Sequence, residues 1–559
     1  VQPNRFNVAQ AIQEAFGLHQ QGRLREAEKL YARILKATPD NFDALHLLGS
    51  IKAQAGQMGE ALRLISAALK INPRVPDALV NLAHVLHALK RDADALDCLD
   101  KALAIKPGEL SIIQNRGNAL LSLGRQQKAL ACFDQVIQRE PRNGAALLSR
   151  GTAKAVLDRN AEALADFDAA LALMPGHPDA LYNRGNALMQ LGRFVEAIDA
   201  FDRSLAALPS QPQAWNNRGS ALQSLNRHAD AVASFGKAID LQKDYADANF
   251  NQALSLLTLG ELRRGFEQYE WRWKRSGITD TRRGYGHSLW LGEFQLGNKT
   301  ILLHAEQGLG DTIQFARYAP LLARAGAKVV LEVPGELKAL LSGLDGVASC
   351  HARGETLPAF AVHCPLGSLP LALKTDRDSI PADIPYLQAD PQRIAKWRPA
   401  LEALPGKRVA IAWAGQASHA NDRNRSIGLA TLEPLLALEG FSFVSIQRDL
   451  RGDDAELLAR HGNVTHLGAE LADMADTAAV AALVDLVIAV DTSVLHLAGS
   501  MGRPTWVMLP FRPDWRWTLT GEHSPWYPQL RLFRQPAIGD WTSVVTTLRG
   551  ALGDFSAKP

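Results

Sequence analysis

Apolar positions from about residue 8 to residue 275 fall into paired stripes of helical spacing, and the pairs return at one fixed interval. Between Asp179 and Pro209 one stripe runs Ala180, Leu181, Gly185, Ala187, Leu188 and Leu191. Gly192 interrupts it, a second stripe runs Ala197, Ile198, Phe201 and Leu205, and Pro209 closes the unit. Apolar residues three and four apart predict two amphipathic helices joined at the glycine, and proline cannot continue the second. The same beat holds in three columns: Pro39, Pro73, Pro107, Pro141, Pro175 and Pro209; Ala27, Ala61, Ala95, Ala129, Ala163, Ala197 and Ala231; Gly49, Ala83, Gly117, Gly151, Gly185, Gly219 and Ala253. A unit this short cannot bury its own core, so its strict repetition predicts a solenoid of stacked helical hairpins, whose usual work is to hold another protein. Small residues in the Gly185 and Ala197 columns let the paired helices approach, and Tyr182 and Phe201 fill the space beside them.

The period stops near residue 275. The last pair, through Ala253 and Gly260, ends in Phe266, Tyr269, Trp271 and Trp273. A terminal repeat is usually polar, so an aromatic one predicts docking onto the next domain. Residues 276–298 carry no period and are expected to form a linker or docking segment. From Lys299 onward, short buried-strand runs alternate with helical stretches: 300–304, 327–333, 408–413, 441–446, 486–490 and 505–509. The rhythm starts twice, which predicts two doubly wound α/β lobes, 299–390 and 391–559, with a cleft between them. The Pro- and Asp-rich stretch 374–391 is expected to cross between lobes. The fold class expected is therefore multidomain, α followed by α/β, with helical repeats over 1–275.

A chain of 559 residues exceeds what one core supports, in keeping with this division. Its net charge of +3 is too mild for a nucleic-acid partner. The first thirty residues hold no apolar run, so neither a signal peptide nor a membrane span is expected. Cys98 and Cys132 occupy one place in adjacent repeats and read as small buried residues. Cys350 and Cys364 lack the spacing of a zinc site. Low cysteine usage without an export signal fits the cytoplasm.

Three places carry candidate chemistry. Gly308-Leu309-Gly310-Asp311 follows a strand and opens a helix; Asp311 is either a helix-capping residue or a functional carboxylate. Asp491-Thr492-Ser493-Val494-Leu495-His496 repeats that arrangement, and its free N–H groups and hydroxyls suit a diphosphate or merely cap a helix. The polar loop after Trp413-Ala414-Gly415-Gln416, from His419 to Ser426, carries Arg423 and Arg425, which clamp phosphate or only face water. In the repeats, Asn81, Asn115, Asn183, Asn217 and Asn251 recur two residues before the small column. Asparagine is a poor helix former, so the column either pairs with the backbone of an extended acceptor peptide or pins neighbouring repeats together. An arginine follows at 116, 150, 184 and 218 and reads as a solvated or inter-repeat residue. Asp376-Arg377-Asp378 imitates a metal-binding acidic motif, but it lies in the crossing stretch, and no metal or other cofactor is expected.

The repeating helical pattern resembles the tetratricopeptide repeat, and its asparagine column resembles the ladder of the O-linked N-acetylglucosamine transferases. The block Asp491 to Thr505, together with the turn at Gly308-Leu309-Gly310-Asp311, resembles the ADP-heptose family of lipopolysaccharide glycosyltransferases over roughly 299–535. The combination is similar to the layout of protein O-glycosyltransferases, including bacterial ones that modify flagellin. The resemblance implies a two-lobed GT-B fold and an inverting, metal-independent transfer of sugar from a nucleotide-activated donor to Ser/Thr hydroxyls of a protein held by the repeats. It implies Asp311 as general base. It implies Gly308, Gly310, Arg423, Arg425, Asp491, Thr492, Ser493 and His496 as donor or phosphate-binding residues. Arg425 stands where the family has a lysine, and the tail with Trp515, Trp517, Trp526 and Tyr527 departs from the family, which leaves the donor open. Two other readings stay open: a non-catalytic repeat scaffold with a degenerate transferase half, and a glycolipid or oligosaccharide transferase.

Overall fold

The computed structural model describes residues 7–275, 284–418 and 421–556. The chain forms two compact units, Val1–Ser210 and Gln211–Pro559.

Among the described residues the first unit holds twelve α-helices, from Val8–Gln20 to Phe194–Ala207, in antiparallel pairs. Their turns share one backbone device. Gly22, Gly56, Gly124 and Gly192 take φ of +70 to +76°, and Lys90 and Asp158 adopt the same left-handed region at φ 61 and 59. After Gly192 the next N–H reaches back, Arg193 N to Leu188 O at 2.9 Å, which satisfies a carbonyl that the helix end would leave bare. Within each pair the small column of the first helix meets an aromatic column on the second. A Cβ on Gly117, Gly151 or Gly185 would stand 2.6 Å from the ring of Phe133, Phe167 or Phe201, all fully buried. The arginine column of the first helices reaches acidic residues of the second helices: Arg116 to Asp100 at 2.6 Å, Arg150 to Asp134 at 2.8 Å and Asp166 at 2.6 Å, Arg184 to Asp168 at 2.6 Å. The arginines thus serve the stacking. Cys98, Cys132 and Cys364 are buried, and all four cysteines are free.

The second unit opens with two further helical pairs, Pro212–Ser224 with His228–Leu241 and Ala246–Thr258 with Leu262–Tyr269, then a 3-10 turn, Glu270–Lys274. Two wholly parallel sheets follow. The first contains β1 (Ser288–Leu289), β2 (Thr300–His304), β3 (Lys328–Val333), β4 (Val347–Ala352) and β5 (Val362–Pro365), in the order β1-β5-β2-β3-β4. The second contains β6 (Lys407–Ala412), β7 (Phe441–Ser445), β8 (Val464–His466), β9 (Leu486–Val490), β10 (Thr505–Leu509) and β11 (Leu530–Arg534), in the order β11-β10-β9-β6-β7-β8. The inner strands β9 and β10 are buried at every position, as a sheet covered by helices on both faces requires. In each sheet the chain builds to one side and then reverses, between β2 and β5 and between β6 and β9. The crevices at those reversals, outside the strands' carboxyl ends, are where such sheets bind ligands.

Of the segment expected as a linker, 276–283 lie outside the described residues. The remainder supplies the edge strand β1 and the buried Trp290. The crossing stretch contains Asp376, which caps its own turn through Ser379 and pairs with Arg263 at 3.3 Å. One continuous core runs from Leu257, Leu262 and Phe266 of the last helical pair through both sheets.

Gly185→Val should lower the unfolding free energy by about 1–3 kcal/mol, because the added side chain must displace the Phe201 ring. Urea titration followed by circular dichroism checks this, and an unchanged midpoint would show that the helices part freely there.

Candidate functional site

Each reversal point carries a strand-to-helix turn, and the two turns meet. After β2, Gly308 precedes the helix Leu309–Ala316, whose first turn holds Asp311. After β9, Asp491 and Thr492 precede the helix Ser493–Ser500, with Thr492 Oγ1 donating to Val490 O at 3.3 Å. A Cβ on Gly310 would lie 2.7 Å from His496 Cδ2 and 3.5 Å from Ser493 Cα, so only glycine lets the two helix starts touch. Their free N–H groups and the positive ends of their dipoles therefore share one space. The buried His496 ring is fixed by Tyr527 (Nδ1 to Oη, 3.1 Å) and packs beside Trp517. Burial drives its pKa well below the ordinary histidine value, and Arg516, Arg317 and Arg425 add to the effect. His496 is thus neutral, and three guanidinium groups act on it.

Arg516 is the central charge. Its side chain is 7 % exposed, on the turn after β10. It donates to Asp311 Oδ1, to Gln314 Oε1, and to Asp514 Oδ1 at 2.7 Å. Burial opposes its charge, but the carboxylates of Asp514 and Asp311 outweigh that and raise its pKa. Asp491 faces the same group. Burial and the neighbouring Asp514 push its carboxyl up to about 7, against a partial pull downward from Arg516, Trp517 and Arg425.

Arg425 folds over Gly415, where a Cβ would stand 2.6 Å from its Nη2, and donates to Asp491 O at 2.9 Å. Its loop is braced by Asp422, which takes Arg451 at 2.7 Å and Ser426 at 2.7 Å. Arg423 of the same loop is exposed, while His419 and Ala420 lie outside the described residues. Two buried donors around this space, Arg425 Nε and Gln314 Nε2, have no hydrogen-bond partner. An unsatisfied buried donor costs about 1–3 kcal/mol, so the site is built with more donors than its own acceptors serve.

Sequence reasoning missed Arg516 and Asp514, which sit among tryptophans read only as an aromatic tail. It also missed a buried cluster beside Asp311. Arg272, from the turn after the last helix, donates to Glu270 (2.5 Å), Glu306 (3.2 Å) and Ser368 (2.6 Å). Tyr269 donates to Gln307 at 3.0 Å, and Gly367 N–H donates to Glu306 at 3.1 Å. Burial raises the Glu306 pKa, and Arg272 opposes the rise. This cluster fastens the last helical pair to the carboxyl ends of β2 and β5. The signal available was the charge pattern Glu270-Trp271-Arg272, charged residues inside an aromatic run.

In the asparagine column, several amide N–H₂ groups serve the preceding repeat: Asn81 to His46 (2.9 Å) and Ser50 (3.1 Å), Asn183 to Thr152 (3.4 Å), Asn251 to Asn216 (3.1 Å). Asn217 accepts from Asn216 at 3.0 Å, and Asn115 is half-buried at the same register. Among the described residues no group of three His, Cys, Asp or Glu side chains is placed to hold a metal ion, and no helix is long and apolar enough to cross a membrane.

Tetratricopeptide-repeat family models match residues 115–178, 150–212 and 212–245, and the model of anaphase-promoting complex, cyclosome, subunit 3 matches 20–102. The helical region is a tetratricopeptide-repeat array. The chain is similar to protein FlbA of Caulobacter vibrioides, 30 % identical over 349 residues, 56 % of this chain and 56 % of FlbA. It therefore spans little more than half the length of that relative. Among solved structures, a tetratricopeptide-repeat protein of Parabacteroides merdae is 19 % identical with TM-score 0.38, covering 44 % of this chain and 98 % of that one. YrrB, described as a tetratricopeptide-repeat protein with an unusual peptide-binding site, is 23 % identical with TM-score 0.28, covering 33 % and 95 %.

The raised Asp491 carboxyl has a measurable consequence. An unfolded aspartate titrates near its ordinary 3.8 and the folded one near 7. Between these values the folded state holds the extra proton, so this group's stabilisation is full below about pH 4 and is lost as pH rises through 7. Asp491→Asn should flatten that slope and leave the variant more stable than the parent above pH 7, by on the order of 1–3 kcal/mol. Urea unfolding at pH 5 and pH 8 measures the difference; equal slopes in both proteins would refute it.

Proposed function

We propose that the chain is an inverting glycosyltransferase of the two-lobed GT-B kind, which moves a sugar from a nucleotide-activated donor to Ser/Thr hydroxyls of a protein held by its repeats. The observation that carries the reading is the meeting of two helix starts at Gly310 and His496, with Asp311 on one side, Asp491 on the other, and Arg425 and Arg516 flanking them. The donor's diphosphate takes the N–H groups at Thr492 and Ser493 and the Arg425 guanidinium, where orphan donors await an acceptor-rich ligand. Gly308 and Gly310 keep the backbone low beneath the sugar, and the neutral His496 donates or accepts without adding charge. Arg423 meets the donor from the rim.

In the reaction the acceptor oxygen attacks the anomeric carbon from the side opposite the diphosphate. The carbon–oxygen bond to phosphate breaks and its electron pair leaves on the diphosphate. The hydroxyl proton passes to the Asp311 carboxylate, and the anomeric configuration inverts. Guanidinium groups and helix dipoles stabilise the leaving charge, so no metal or other cofactor takes part. In the repeats, Asn81, Asn115, Asn183, Asn217 and Asn251 take the backbone of an extended acceptor chain; Asn81, Asn183 and Asn251, whose N–H₂ groups serve neighbouring repeats, do so through their carbonyl oxygens.

One observation favours a second reading, a non-catalytic scaffold: the Asp311 carboxylate is already engaged by the Arg516 guanidinium. Asp311→Asn separates the two. It should reduce sugar transfer, read by intact-mass spectrometry of acceptor proteins, by on the order of 10²–10⁴-fold, and transfer should survive EDTA. Transfer at the parent rate in Asp311→Asn would remove Asp311 as the base, and no transfer by the parent protein to any acceptor would leave the scaffold reading standing. Changing Asn115, Asn183 and Asn217 together to Ala should lower transfer to a whole protein steeply while donor hydrolysis by water changes little. A folded triple variant that modifies its acceptor normally would place the acceptor on another surface.

A further inference from the structure

The pairing that speaks against catalysis suggests how the site is controlled. We propose that Arg516 is a positioning residue with two exclusive partners: without donor it holds the Asp311 carboxylate, and a donor phosphate displaces that carboxylate from the guanidinium, so that the base is released only when the sugar is in place. This rests on the donor-site reading above.

Four features of the molecule support the exchange. The guanidinium reaches from the turn after β10 to Asp311 and Gln314 at the first helix of the other sheet, so it spans the cleft at the point where the two helix starts meet. Its Nη1 is held separately by Asp514 at 2.7 Å, which lets the group leave Asp311 without losing every counter-charge. Its backbone is fixed: Ser524 Oγ donates to Arg516 O at 2.8 Å, and Arg534 grips Trp517 O at 2.5 Å and Thr518 O at 3.0 Å. Thr518, a β-branched residue, is held at φ 58, a strained position that the surrounding bonds maintain. The exchange therefore asks only the side chain to move. Finally, Gln314, which accepts from the guanidinium through Oε1, keeps its Nε2 as a buried donor without a partner. An incoming phosphate brings that amide an acceptor along with Arg516, and arginine binds phosphate through two parallel N–H bonds at least as well as it binds a carboxylate.

The exchange predicts a competition that binding alone can read, with inorganic pyrophosphate as the probe in calorimetric titrations of the full chain. Asp311→Asn removes the competing charge, so pyrophosphate should bind on the order of tenfold more tightly than to the parent. Arg516→Gln should weaken binding, and in the Arg516→Gln/Asp311→Asn double variant the gain from Asp311→Asn should vanish. Arg516→Lys, which keeps the charge without the fork, should retain part of the gain and serves where Arg516→Gln melts early. A gain of equal size in the double variant would show that Asp311 acts only through its general negative charge and would overturn the exchange. Unchanged or weaker binding by Asp311→Asn alone would overturn it too. If the parent protein fails to bind pyrophosphate at millimolar concentration, the donor-site reading falls and this inference falls with it.

Discussion

At Gly310 the backbone of the helix after β2 lies against the His496 ring of the helix after β9, with no room for a methyl group between them. Much of the second unit follows from that contact. It sets the spacing of the two helix starts, and with it the distance across which Arg516 reaches Asp311. It buries His496 deeply enough to keep the imidazole neutral beside three arginines. The ring in turn needs Tyr527 and Trp517 around it, and these hold the turn that carries Arg516.

Buried ions are costly unless every charge is met, and they seldom add net stability over apolar packing. Two such groups stand side by side here, Arg516 with Asp311 and Asp514, and Arg272 with Glu270 and Glu306. Their contribution is to fix position. The first ties the turn after β10 to the helix start after β2. The second sets the last helical pair against the carboxyl ends of β2 and β5. Arg272 also lies over the rings of Tyr269 and Trp273 at 4.9 and 4.5 Å, so aromatic faces supply part of what water no longer provides.

The repeats were legible because their constraint is local: a glycine that must face a phenylalanine on the next helix returns in unit after unit, and so does a turn that needs positive φ. Lys90 and Asp158 hide in that turn column because the capping bonds impose the conformation on residues that do not favour it. The strands β2, β3, β6, β7, β9 and β10 were legible as apolar runs, while β1, β4, β5, β8 and β11 were not read, and two parallel sheets stand where the rhythm started twice. Of the candidate site, the two strand-to-helix starts, at Asp311 and at Asp491 to His496, were legible, and so was Arg425 on the polar loop after β6. Arg516 was not, because its meaning depends on a carboxylate 205 residues away. The asparagine column was legible as a column, but the partners of its amides are set by the stacking of neighbouring helices, which composition does not display.

The last two helical pairs belong, by their contacts, to the unit that follows them. Phe266 meets Trp515 and Trp526 edge-on at 5.6 and 6.4 Å, and Asn226 donates to Phe511 O at 2.6 Å. Phe511 lies 285 residues further along the chain than the asparagine that reaches it. At a synthesis rate of roughly 5–20 residues per second, the aromatic face of the last pair leaves the ribosome tens of seconds before the surface it will cover exists. The array can stack as it emerges, each hairpin on the one before, but its final pair must wait uncovered until the second sheet is complete. For this protein the vulnerable interval is therefore late in translation and is set by the order in which the chain is written.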